Sequence, residues 1–252
     1  MARLGKGAGQ MTQIETYKAF LMSLPPGSLT KEQLFVEELL LDEQPNMSIY
    51  YVPYEYVNAE AKVMIIGITP GFTQMEIAIR SARDDLLSGV PLTLIDQRAK
   101  KLGSFAGSMR SNLIEMLDAI ALSDRLGIPS CRALFEERRD LLHTTSAIRY
   151  PVFQQGKNYT GHSPPILKSE LLYRYAESIL LPELQEVKDA LIIPLGKAVS
   201  EVVQAFVSKG WLNGERCLFD MPHPSGANGH RKKQFEQHKA TMQQKVSDWF
   251  GS

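Results

Sequence analysis

Ala61-Lys62-Val63-Met64-Ile65-Ile66-Gly67, followed by Ile68-Thr69-Pro70-Gly71, is the stretch whose reading decides the fold. Its first seven residues form a near-continuous apolar run, the pattern of a strand buried on both faces. Pro70 and Gly71 close it in a turn. Residues 141–148 read as a second strand and 190–195 as a third, buried one, ending in Arg149-Tyr150-Pro151 and in Gly196-Lys197. Residues 216–221 predict a fourth, shorter strand. Helical spacing of apolar residues predicts helices over 31–42, 112–122, 168–180 and 197–207. Strands alternating with helices at this spacing predict a three-layer α/β/α sandwich around a central, mostly parallel four-stranded sheet.

In such a sheet the carboxyl ends of the strands gather along one edge, where ligands bind. Four tips therefore meet on paper: 67–71, 145–151, 195–197 and 222–226. The last lies in Met221-Pro222-His223-Pro224-Ser225-Gly226-Ala227-Asn228-Gly229-His230-Arg231-Lys232-Lys233. Proline fixes φ and lacks a backbone donor, so His223 between two prolines sits on a rigid loop rather than inside a helix or a central strand.

The whole chain sets broad limits. Its 252 residues are 44% hydrophobic and 22% charged, with a formal net charge of zero. That suits one globular domain over 11–252, preceded by a Gly-rich, flexible stretch over 1–10. Apolar runs are too short to span a membrane. Nothing after Arg3 and Lys6 resembles a signal peptide, so the expectation is a cytoplasmic protein. Two cysteines, Cys131 and Cys217, provide neither a disulfide framework nor a metal set, and no cofactor is expected. Local charge says more than the total, since Arg231, Lys232, Lys233, Lys239 and Lys245 follow the histidine loop. Oligomeric state is not legible.

Gly67-Ile68-Thr69-Pro70-Gly71 after a buried strand, with His223-Pro224-Ser225 after the last one, resembles the uracil-DNA glycosylase superfamily. Gly103-Ser104-Phe105-Ala106-Gly107 resembles its Phe-x-Gly segment, whose phenylalanine stacks on the base. Thr145-Ser146-Ala147-Ile148-Arg149-Tyr150-Pro151 resembles the strand that carries the base-reading asparagine. Ile193-Pro194-Leu195-Gly196-Lys197 resembles a strand end of the iron–sulfur branch. Order and spacing agree over about two-thirds of the chain.

The resemblance implies a DNA glycosylase that flips a base from single- or double-stranded DNA and hydrolyses its N-glycosidic bond. His223 and Thr69 take the catalytic positions. Gly67, Ile68, Pro70, Gly71, Phe72, Phe105 and Ser146 line the base pocket. Ser225, Gly226, Asn228, Arg231 and Lys232 contact the DNA backbone. Four departures stand out. Members usually place Asp or Asn at Thr69 or Glu at Ile68, so the acid is missing unless one of the carboxylates that follow the turn with Gln74, namely Glu76, Asp84 or Asp85, substitutes. Ser146 replaces the asparagine, which disfavours plain uracil and leaves room for a modified base. A hypermodified pyrimidine, as in phage DNA, would suit such a pocket and a defence role. The cluster cysteines are missing, and the loop after His223 has no bulky apolar wedge. The alternatives are an inactive nucleic-acid-binding member or an enzyme of free nucleosides or nucleotides.

Overall fold

The computed structural model describes residues 13–105 and 107–251. The stretch 1–10, expected to be flexible, lies outside them. The strands are β1 (Leu40–Gln44), β2 (Met47–Tyr50), β3 (Val63–Gly67), β4 (Leu142–Ser146), β5 (Val152–Gln154), β6 (Lys157–Asn158) and β7 (Leu191–Pro194). The helices are α1 (Ile14–Ser23), α2 (Lys31–Leu34), α3 (Phe72–Leu87), α4 (Leu92–Gly103) and α5 (Ser108–Ala119). They continue with α6 (Leu122–Leu126), α7 (Glu170–Tyr175), α8 (Leu181–Glu186), α9 (Lys197–Ser208) and α10 (Arg231–Gly251).

The chain divides into two units that interleave along the sequence. One holds the described residues up to Tyr56, with Thr69–Ser104 and Tyr150–Tyr159. The other holds Val57–Ile68, Phe105–Arg149 and the described residues from Thr160 onward.

The second unit is built on the parallel sheet β4-β3-β7. Central β3 is buried along its whole length, as its apolar run demands. Alternation sorts the residues between two faces. Val63, Ile65, Leu142, Leu191 and Ile193 join one apolar cluster with Leu113 and Leu117 of α5, Leu122 of α6, and Phe235, Met242 and Val246 of α10. Each such side chain contributes about 1.5–3 kcal/mol when fully buried. On the opposite face, His143 and Thr145 of β4 bond to the buried Glu183 of α8, at 2.6 and 2.9 Å. Arg149 reaches the same carboxylate at 3.0 Å. Helices thus cover both faces of the sheet, and the expected α/β/α class holds.

The strand count is corrected. Residues 216–221 do not form a fourth strand; one parallel bridge, Ile192 to Cys217, marks where it would run. Leu218 N–H donates to Ile192 O, and Gly196 N–H donates to Met221 O, both at 2.8 Å. Asp220, in the left-handed region at φ 69°, interrupts the extended path.

In the first unit β1, β2, β5 and β6 form an antiparallel sheet in that order, alongside α1, α3 and α4. The helix expected over 31–42 is also corrected. After Leu34 the chain leaves the helix, takes one 3-10 turn at Glu37–Leu39 and enters β1. Phe35 stacks on Tyr50 and packs on Phe153, with centroids 5.0 and 4.4 Å apart. Tertiary aromatic packing overrides the local helical spacing. The helix expected over 168–180 instead begins at Glu170 and runs on through a π-helical stretch, Ala176–Leu180, to Glu186.

Candidate active site

The strand registers place the tips of the second unit side by side. Gly67 pairs with Ser146 across β3 and β4, and Ile66 pairs with Pro194 across β3 and β7. Ala147 N–H donates to Gly67 O at 2.8 Å and Ile148 N–H to Ile68 O at 3.0 Å, carrying the pairing past the strand ends. A methyl group added at Gly67 would lie 3.5 Å from Ser146 Oγ and 3.6 Å from the ring of Phe105. Gly67, Ser146 and Phe105 therefore lie within reach of one another at the sheet edge. The Ser146 hydroxyl is half-buried, and no described residue is shown hydrogen-bonding to it. Phe105 is buried yet held at φ 47°. A bulky residue rarely adopts that region, and such strain clusters at functional sites.

His223 stands beyond β7. Gly196, at φ 80°, makes room for it: a Cβ there would come within 3.1 Å of His223 Cβ. Ser225 N–H donates to His223 Nδ1 at 3.3 Å. A nitrogen that accepts a bond carries no proton, so the neutral ring bears its hydrogen on Nε2. Among the described residues no hydrogen bond reaches Nε2. Burial, reinforced by the charge of His162, lowers the His223 pKa below the ordinary 6.5. The ring is thus held neutral at pH 7, with one N–H donor left to engage a ligand. Exposed His162 follows Gly161, whose missing side chain lets the loop lie against Ala198 and Ile68.

Of the basic segment after His223, Arg231 is tied inward. Arg231 donates to Ser225 O at 3.0 Å and to Asn112 Oδ1 at 3.1 Å. Asn228 Nδ2 donates to His223 O and to Gln234 Oε1, so its side chain ties the loop to α10. Ser225 Oγ accepts from Ala227 N–H. Gly226 and Lys232 are exposed.

In the first unit, the hydroxyl of Thr69 donates to Tyr150 O at 2.8 Å and accepts from Val152 N–H at 3.0 Å. It clamps the entry to β5. Pro70 is buried. Asn158 lies so close to Gly71 that a Cβ there would sit 3.0 Å from its Nδ2, and Asn158 Oδ1 accepts from Phe72 N–H. The Phe72 ring meets Phe35 edge-on at 5.9 Å. The polar side chains that follow the turn, the candidate carboxylates among them, are engaged. Gln74 bonds Gly71 N–H and Gly103 O. Glu76 pairs with Arg80, Asp84 with Arg83 and Asp85 with Arg98, at 2.7, 2.8 and 3.0 Å.

Residues 54–247 match the uracil DNA glycosylase superfamily. The chain belongs to that superfamily. This membership supports a DNA glycosylase-like function. The uncharacterized protein YoxB of Bacillus subtilis (strain 168) is 45% identical over 223 residues, covering 88% of this chain and 87% of its own. The crystal structure of wild-type Pedobacter heparinus SMUG2 aligns with a TM-score of 0.43 at 11% identity, over 93% of this chain and 98% of that one.

For this superfamily member, Gly67, Ile68, Phe105, Ser146, His223, Ser225, Gly226, Asn228, Arg231 and Lys232 fall in the second unit; Thr69, Pro70, Gly71 and Phe72 fall in the first. Distances join Gly67, Ser146 and Phe105 directly. The two cysteines are buried thiols, and burial pushes Cys217 up to about 11 and Cys131 higher still. They do not fit an iron–sulfur cluster, which takes four cysteines. No helix among the described residues is long and apolar enough to cross a membrane. Sequence reasoning missed the roles of Arg110, Asn112 and His162. Only Gly196, a glycine between strand and helix, carried a readable signal.

Proposed function

We propose that the protein is a monofunctional DNA glycosylase that releases a damaged or modified base and leaves an abasic site. The observation that carries this reading is the His223 ring, fixed through Nδ1 and presenting Nε2–H. When the C1′–N bond breaks, its electron pair moves to the base and the sugar gains oxocarbenium character. A preorganised donor aimed at the departing base stabilises that charge without reorganisation. Water adds to C1′, loses a proton to solvent and completes the abasic sugar. An oxocarbenium-like centre is electrophilic enough to be trapped by water without a strong base. The engagement of Thr69 and of the α3 carboxylates is therefore compatible with activity. Phe105 stacks on the flipped base, and Ser146 offers one donor and two lone pairs to its edge. That set suits a base other than plain uracil, since the hydroxyl lacks the paired donor and acceptor of an amide. Lys232 meets the DNA backbone, and the setting is intracellular.

A panel of DNAs carrying uracil, deaminated purines or bulky modified cytosines, with alkali revealing abasic sites, tests the reading. Release from at least one modified base supports it. Release from the bulky cytosines alone would favour a hypermodified pyrimidine and a defence role. No release from any member, with DNA still bound, would replace it with the inactive DNA-binding alternative.

A further inference from the structure

α5 carries two polar side chains, two residues apart, that reach both parts of the site. Arg110 Nε–H donates to Phe105 O at 2.8 Å, and its guanidinium lies over the Phe135 ring. That bond holds the backbone of a residue in a disfavoured conformation. Asn112 Nδ2–H donates to Pro224 O at 2.9 Å, while its Oδ1 accepts from Arg231 at 3.1 Å. Arg231 closes the ring by donating to Ser225 O at 3.0 Å. The loop's internal bonds, Asn228 Nδ2–H to His223 O and Asn228 N–H to Ser225 O, do not tie it to α5. Pro224 has no N–H to give, and the N–H of Ser225 goes to the His223 ring.

We propose that Asn112 and Arg231 are positioning residues that lock the His223 loop to α5, the helix whose first turn also holds Phe105. The proposal rests on the glycosylase reading for its purpose, but not for its geometry. Stacking ring and donor are then registered to one rigid element, which matters because a displacement of about 1 Å can cost ~10²-fold in rate. Arg231 acts as a brace, and phosphate contact falls to the exposed lysines.

Two variants separate the possibilities. Asn112→Leu removes both of its bonds at similar volume. Arg231→Lys keeps the charge but loses the planar fork. For each, the ring nitrogens of His223 are observed by two-dimensional NMR in the free protein, and single-turnover base release and DNA affinity are measured over a range of salt. The expected result is a His223 ring that samples both neutral tautomers in both variants. Release should fall roughly 10- to 100-fold, as expected for lost positioning, with DNA affinity retained. An unchanged ring spectrum in Arg231→Lys overturns the brace, even if Asn112→Leu fails to fold. So does a loss confined to affinity, with the salt slope reduced by about one phosphate contact. If the wild type releases no base, the ring spectrum still decides the positioning, so the two readings fail separately.

Discussion

Thr69 and His223 look alike in the chain: each is a polar residue just beyond a buried or bridged strand, and each is followed by proline. The structure treats them differently. The Thr69 hydroxyl spends its one donor on Tyr150 O and one of its two lone pairs on Val152 N–H. Among the described residues the ring of His223 is held at Nδ1 only, and its other nitrogen is unbonded. The first residue is a clamp; the second keeps a donor for the role proposed for it. The same contrast extends to α3, whose carboxylates are each paired with an arginine. What separates the two regions is which groups the fold leaves unbonded, not which residue types are present.

The comparison breaks most readily at His223. His223→Ala should slow single-turnover release by about 10²–10³, the usual effect of losing one transition-state donor, whereas Glu76→Gln should leave the rate near that of wild type. A comparable loss in Glu76→Gln would return the chemistry to α3. Gly196→Ala should come next. It forces a side chain into φ 80° and to within 3.1 Å of His223 Cβ, costing roughly 1–3 kcal/mol of stability. A urea melt would register that cost, together with slower release. An unchanged melt would mean that His223 does not depend on that glycine.

Thr69→Val sharpens the other side. It leaves Val152 N–H without its acceptor, so stability should drop by about 1–3 kcal/mol while the release rate per folded molecule holds. A rate loss without destabilisation would restore Thr69 to catalysis. The smallest effect is on pH. Because folding lowers the His223 pKa, the folded state binds this proton less readily than the unfolded chain. Stability from the neutral ring is complete above about 6.5 and declines as pH falls through it toward the lowered folded value. Urea midpoints should show that decline in wild type and less of it in His223→Gln.

Much of this was legible in the sequence. The apolar run at 63–67 announced a doubly buried parallel strand because it is short, rich in β-branched residues and closed by Pro70 and Gly71. His223 stood out because two prolines leave it few conformations. The fourth strand failed because left-handed Asp220 breaks residues 216–221, and single-residue strain leaves no periodic signature. The helix over 31–42 failed because Phe35 packs on Tyr50 and Phe153, partners distant in sequence. Asn112 was invisible for a related reason. A lone asparagine beside the apolar face of α5 shows nothing of its partners at 224 and 231. Likewise, Thr69 read as a possible catalytic group because its two backbone partners lie some eighty residues away.

The most direct measurement is a nitrogen-15 NMR titration of the His223 ring, assigned by its loss in His223→Gln. The account predicts a neutral ring protonated on Nε2 at pH 7, titrating below 6.5. A ring protonated on Nδ1, or an imidazolium persisting at pH 7, would contradict it.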